Sequence, residues 1–240
     1  MIITVGGIKG GVGKSLISTN LTVMRAMKGK VLLVDGDEQG TSGDWSDHRI
    51  GLGISTNWTT IRLKGSAVRT EVLKLVNNYD DIIIDCGGRD TSSLRAALTV
   101  ADIFLVPFQP KSFDIWTLSK VTALIEEVKI LNEKLISYYF INCGGARGND
   151  NDEAMEILSS AQDLKPLNVA IALRKAFSNA TAEGLGIIET RNDSKAITEM
   201  YALHDAIFEN NELYVENQSI DQVSVNTMAS DNCQNNSLMA

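Results

Sequence analysis

Residues 9–15 read Lys-Gly-Gly-Val-Gly-Lys-Ser, an order of residue types suited to holding a polyphosphate. Glycines let successive backbone N–H groups turn inward around an anion, and a helix starting at the loop's end adds the positive end of its dipole. Lys14 has the reach for the β- and γ-phosphates, and the Ser15 hydroxyl is a ligand for Mg²⁺. The pattern predicts that a nucleoside triphosphate is held by Lys14, Ser15 and the backbone of Gly10, Gly11, Val12 and Gly13. A second lysine, Lys9, precedes the glycine pair, and Ile8 stands where G-x-x-x-x-G-K-[ST] would begin. A cation so near the loop's start does not easily cover the phosphate bound there. Lys9 either projects toward a nucleotide on a facing subunit or is a solvated surface charge.

Three further positions carry chemistry of the same kind. Asp35 and Asp37 stand two apart just past an apolar run, in Asp35-Gly36-Asp37-Glu38-Gln39-Gly40. They either face the metal and the terminal phosphate, where one carboxylate could orient a water, or form a polar turn. Asp85 closes the run Ile82-Ile83-Ile84 and suits a second Mg²⁺ contact, made directly or through water. Asn142 ends another run; its amide can pair with the donor and acceptor of adenine's edge, or it simply starts a turn. Cys86 is either a reactive thiol or a small buried filler, and the second fits better.

These residues need a scaffold that gathers strand ends. Continuous apolar runs at 1–6, 30–35, 81–85, 102–107 and 135–142, with weaker ones near 56–61 and 168–173, alternate with helical stretches at about 15–28, 65–77, 91–100, 114–131, 151–162, 175–183 and 195–209. Runs of that type fit a doubly wound α/β fold, a mainly parallel sheet with helices on both faces. Ligands of such sheets lie outside the carboxyl ends of the strands, where every candidate above falls. Residues 1–209 are expected to form one domain, and 210–240, rich in Asn, Gln, Ser and Asp, a disordered polar tail. Trp45, Trp58 and Trp116 are expected in packing roles.

Composition narrows the classes. The 240 residues, 44% of them hydrophobic, suffice for one α/β core. No apolar run has the length of a membrane span, which points to a cytoplasmic protein. Three widely spaced cysteines suggest neither a disulfide framework nor a metal cluster. The net charge of −8 argues against a uniformly basic nucleic-acid binder. Five of the acids lie from Glu209 onward without a Lys or Arg among them. A local group of cations, Lys165, Arg174, Lys175, Arg191 and Lys195, is either a phosphate-contacting patch or a scatter of solvated charges.

The lysine before the glycine pair, the Asp-x-Asp-x-Gln stretch and the aspartate closing the Ile-rich strand together resemble the ParA/MinD family of deviant Walker A ATPases over residues 1–209. The resemblance implies a P-loop NTPase fold, ATP and Mg²⁺ as ligands, and ATP hydrolysis in a homodimer in which Lys9 crosses to the partner's nucleotide. It matches Asp37 to the acid that activates water and Asp35 to a companion near the metal, beside Ser15 and Asp85. It also implies that Leu16 contacts the nucleotide through its backbone, since a threonine usual there is missing. Among the family's branches, short partition ATPases of plasmids or chromosomes fit best. These bind DNA non-specifically as ATP-bound dimers, associate with the nucleoid, and are released when a small DNA-binding adaptor stimulates hydrolysis. Arg174, Lys175, Arg191 and Lys195 are the candidate DNA contacts. A membrane partner is not expected, because no cation follows Lys195 to meet anionic lipid. With the loop nine residues in, no helix-turn-helix domain is expected ahead of it. A division-regulator-like or cargo-positioning ATPase acting on another surface, and a small-molecule kinase, are the alternative readings.

Overall fold

The computed structural model describes residues 1–89, 91–111, 116–145 and 148–209. Seven strands form one sheet in the order β3-β2-β4-β1-β5-β6-β7. They are β1 Ile2–Val5, β2 Val31–Asp35, β3 Trp58–Arg62, β4 Asp81–Asp85, β5 Ile103–Phe108, β6 Ile136–Gly144 and β7 Lys165–Ala172. Every pairing is parallel, as the unbroken apolar runs predicted. The expected tail, 210–240, lies outside the described residues.

Alternation along the strands builds two cores. Ile2, Leu32, Val34, Ile82 and Ile84 face helices α3 (Ala67–Leu75), α4 (Ser92–Leu98), α5 (Leu118–Lys129) and α6 (Asp150–Leu158). Ile3, Val5, Leu33 and Ile83 face α1 (Lys14–Ala26), α7 (Lys175–Ala182) and a last helix, α8, over 194–209. Both faces are therefore covered. Chain order reverses at β1, which has β4 on one side and β5 on the other. The crevice at that reversal is where the loop after β1 begins.

One helix was not legible in the sequence: α2, Thr41–Gly51. Its stretch Thr-Ser-Gly-Asp-Trp-Ser-Asp-His-Arg-Ile-Gly has almost no apolar period. Tertiary contacts supply what local pattern lacks. At its start the N–H of Gly43 donates to Asp35 Oδ2 at 2.7 Å, a carboxylate placed at a helix N-terminus by the end of the preceding strand. At its other end Arg49, buried, donates twice to Glu189 (2.6 and 2.8 Å) and to the carbonyls of Gly184 and Ser55. Trp45 stacks on Trp58 with 5.8 Å between ring centroids, and the Arg49 guanidinium lies 5.1 Å from the Trp58 ring centre. Trp45 and Trp58 thus pack as expected, whereas Trp116 is 69% exposed.

Truncating Arg49 takes a donor from two carbonyls and its ion pair from Glu189, whose side chain is 27% exposed and keeps the Gly186 N–H. Arg49→Ala is expected to lower the unfolding free energy by about 2 kcal/mol, through lost hydrogen bonds and packing. Urea denaturation of the two proteins measures it, and a loss under about 0.5 kcal/mol would show that the ion pair does not hold α2.

Candidate nucleotide-binding site

The loop between β1 and α1 closes through two left-handed glycines, Gly11 at φ 77° and Gly13 at φ 87°. No side chain fits at Gly13, because a Cβ there would stand 2.3 Å from Asn142 Nδ2. Helix α1 begins at Lys14, so its N-terminal dipole points at the mouth of a cavity of about 610 Å³. Gly13, Lys14, Ser15, Asp37, Gly87 and Arg89 are among its walls. Lys14 is buried and its ammonium donates to the Lys9 carbonyl at 2.8 Å. Burial lowers its pKa, against the opposing charges of Asp85 and Asp37. Lys9 itself is exposed. The segment after β4 approaches closely: a Cβ at Gly88 would meet the Gly10 backbone at 2.5 Å.

The carboxylates divide into different roles. Asp37 lines the cavity, with Oδ1 accepting from the Gln39 N–H at 3.2 Å. It crowds Gly87, where a Cβ would come within 2.9 Å of that oxygen. Asp35, expected near the metal, is instead 1% exposed, with one oxygen on the Asp37 N–H (3.1 Å) and the other on the Gly43 N–H. It does not line the cavity in this conformation; it ties β2 to the loop carrying Asp37 and to α2. Asp85 is fully buried, with Oδ1 accepting from Ser18 at 3.2 Å and Oδ2 without a partner among the described residues. Burial pushes its carboxyl up to about 7, while the nearby Ser15 hydroxyl favours the charged form. An orphaned buried oxygen beside a half-buried serine fits a metal-bound water, and Mg²⁺ needs few protein ligands. Among the described residues no group of three His, Cys, Asp or Glu forms a metal cage.

Asn142 is more engaged than expected. It is 1% exposed and its Nδ2 donates to the Val12 carbonyl at 2.7 Å, so that group braces the phosphate loop, while the residue also lines a second cavity. This second cavity, of about 360 Å³, adjoins the loop at Gly13 and Leu16, and Asn142, Ile171, Leu173, Lys175 and Phe177 are among its walls. Its mainly apolar wall suits a stacked heterocycle. These residues come from separate segments, and only their position after strand ends hinted at them. Leu16, at the junction, replaces a hydroxyl with apolar surface. Cys86 is buried and burial pushes its thiol well up, as suits a filler.

The cationic group is smaller than the sequence suggested. Arg174 is clasped by Glu199 (2.5 and 3.1 Å) and faces Asp193 at 3.7 Å, so its charge is compensated within the fold. Lys165 opens β7 while Arg174 follows its far end, about 23 Å away along an eight-residue strand. Lys175, Arg191 and Lys195 remain exposed.

A carboxyl that titrates near 4 in an unfolded chain and near 7 in the fold binds its proton more tightly when folded. Stability of the ligand-free protein should therefore fall as pH rises from about 4 to about 7, with the full penalty present above that range. Asp85→Asn cannot ionise. It should flatten this slope and raise stability at pH 8 by on the order of 4 kcal/mol. Denaturant unfolding of both proteins between pH 5 and 8 measures it, and parallel profiles would show that Asp85 ionises normally.

Comparison with known proteins agrees with this geometry. The profile described as the CobQ/CobB/MinD/ParA nucleotide binding domain matches residues 3–212. The chain is 26% identical over 189 residues to maintenance of carboxysome distribution protein A of Halothiobacillus neapolitanus, covering 78% of this chain and 86% of that protein. Among solved structures, apo McdA of Cyanothece superposes with a TM-score of 0.71 at 14% identity, covering 86% of this chain and 98% of the other. A putative plasmid partition protein of Borrelia burgdorferi bound to AMPPNP superposes with a TM-score of 0.70 at 20% identity, covering 87% and 98%. The phosphate loop after β1, the doubly wound sheet and the span of the match place this chain in the CobQ/CobB/MinD/ParA nucleotide-binding family.

Proposed function

We propose that the chain is an ATP-driven switch that dimerises around two nucleotides and positions a large cargo by cycling on and off a surface such as DNA. The observation that carries this is the pair of lysines. Lys14 is buried at the phosphate cavity, whereas Lys9 is exposed, one residue before the glycine that begins the cavity's lining. In this reading the backbone of Gly10 to Leu16 and Lys14 hold ATP, and Asp37 orients the attacking water. Mg²⁺, when bound, would neutralise phosphate charge beside Ser15, with Asp85 holding one of its waters.

Cargo positioning is favoured over DNA partition because the curated relative matched by sequence distributes carboxysomes, whereas the plasmid partition protein is similar in fold alone. A small-molecule kinase needs an acceptor pocket facing the terminal phosphate. The second cavity lies instead at the Gly13 and Leu16 side, where a base belongs. No described helix is long and apolar enough to cross a membrane.

The two lysines and Asp37 should separate in one experiment. With ATP and Mg²⁺, Asp37→Ala should hold nucleotide without turnover and scatter light as a dimer. Adding Lys9→Ala to that variant should return it to monomer mass while ATP still binds. Monomer mass for Asp37→Ala under saturating ATP would sink the dimer.

If the surface is DNA, retardation of unrelated duplexes should require ATP and fade as salt rises. Each phosphate neutralised contributes about −0.9 to the slope of log affinity against log salt. Arg191→Glu and Lys195→Glu should weaken binding and spare basal ATPase, whereas Arg174→Ala should act mainly on stability, because its charge is already compensated. Absence of retardation under every nucleotide condition would assign the switch a protein surface.

A further inference from the structure

A phosphate loop binds through its N–H groups, so what orients its peptide planes sets its affinity. In a trans peptide the carbonyl and the following N–H point in opposite directions. Fixing the carbonyl of one residue therefore aims the N–H of the next. Three consecutive planes are fixed here. The Gly11 carbonyl accepts from Gln109 Nε2 at 2.8 Å. The Val12 carbonyl accepts from Asn142 Nδ2 at 2.7 Å. The Gly13 carbonyl accepts from the Ile17 N–H at 3.0 Å, inside the helix. The N–H groups so aimed belong to Val12, Gly13 and Lys14.

The first two donors are amide side chains from neighbouring strand ends, one just past β5 and one within the last turn of β6. Both are rooted rigidly. Asn142 is 1% exposed and paired in the β6–β7 ladder with Ile171. Gln109 follows buried Phe108 and precedes Pro110, which narrows its backbone to extended conformations. Gly11 and Gly13 both sit at positive φ, where glycine has the widest backbone freedom and most needs external bracing.

We infer that Gln109 and Asn142 are positioning residues for the nucleotide, a two-amide brace that aims the Val12 and Gly13 N–H groups at the phosphates without touching the base. The inference rests on the nucleotide-binding reading of the loop and adds two residues to it. As the loop is built, each amide nitrogen donates to a loop carbonyl.

The test uses the full chain. Gln109→Glu keeps the shape and replaces the donor with an acceptor; Gln109→Ala removes both. Asn142→Asp does the same at the buried position. Dissociation constants for ATP and GTP, each with Mg²⁺, are measured by calorimetry beside the thermal unfolding of ligand-free protein. Both Gln109 variants should weaken ATP and GTP by the same factor, about three- to tenfold, with ligand-free unfolding unchanged. Asn142→Asp should weaken both nucleotides further, again leaving the ATP:GTP ratio of the parent. Unchanged nucleotide affinity in the Gln109 variants would overturn the brace, and a changed ATP:GTP ratio in Asn142→Asp would make that residue a base contact instead. If Asn142→Asp does not fold, the Gln109 variants alone decide. A parent chain that binds neither nucleotide would overturn the nucleotide reading itself, whereas a parent that binds while its Gln109 variants match it overturns only the brace.

Discussion

Two carboxylates end neighbouring strands in register, Asp35 on β2 and Asp85 on β4, and both are buried. Placing like charges side by side in a low-dielectric interior is costly, and both carboxyls are held above their ordinary range, chiefly by burial. Much of the site can be understood as a response to that pair. Asp35 is satisfied by backbone N–H groups from the Asp37 loop and from the start of α2. Asp85 has Ser18 on one oxygen and an opposing charge in Lys14. The other Asp85 oxygen has no hydrogen-bond partner among the described residues, and the Ser15 and Ser42 hydroxyls favour the charged form of the group.

The framework was readable because its signals are local. The Lys-Gly-Gly-Val-Gly-Lys-Ser loop and the apolar runs before Asp35, Asp85 and Asn142 need no tertiary knowledge, and they predicted a parallel sheet whose strand ends converge. Even the weak strands appeared, Trp58–Arg62 and Lys165–Ala172, shifted by two or three residues. What failed was whatever depends on partners far away in the chain. Helix α2 has no amphipathic period of its own and is held at its far end by Gly184 and Glu189, more than 130 residues from Arg49. The backbone partners of Asp35 and of Asn142, which tie them to the Asp37 loop, to α2 and to the phosphate loop, could not be read from the local pattern. Arg174 resembled a free cation until Glu199, twenty-five residues on, was folded beside it.

The same contrast explains how the two halves of the crevice differ. On the β2–β4 side, carboxylates and glycines crowd one another: Gly87 against Asp37, Gly88 against Gly10. Small residues are needed there because any side chain would push the segments apart. On the β5–β6 side, amides of Gln109 and Asn142 hold the loop by its carbonyls. One wall is close-packed and sterically intolerant; the other is hydrogen-bonded and directional. A loop caught between them can be displaced on the first side without losing its aim on the second.

The stacked indoles of Trp45 and Trp58 lie 5° from parallel, under a guanidinium, on the helix whose first turn is tied through Asp35 to the Asp37 loop. Two chromophores so close couple their electronic transitions, and the nearby cation shifts their emission. Any rearrangement of residues 36–40 that rocks α2 changes that coupling. The molecule therefore carries a built-in optical gauge of its phosphate crevice, one that near-ultraviolet circular dichroism or intrinsic fluorescence can follow in the native chain without a label.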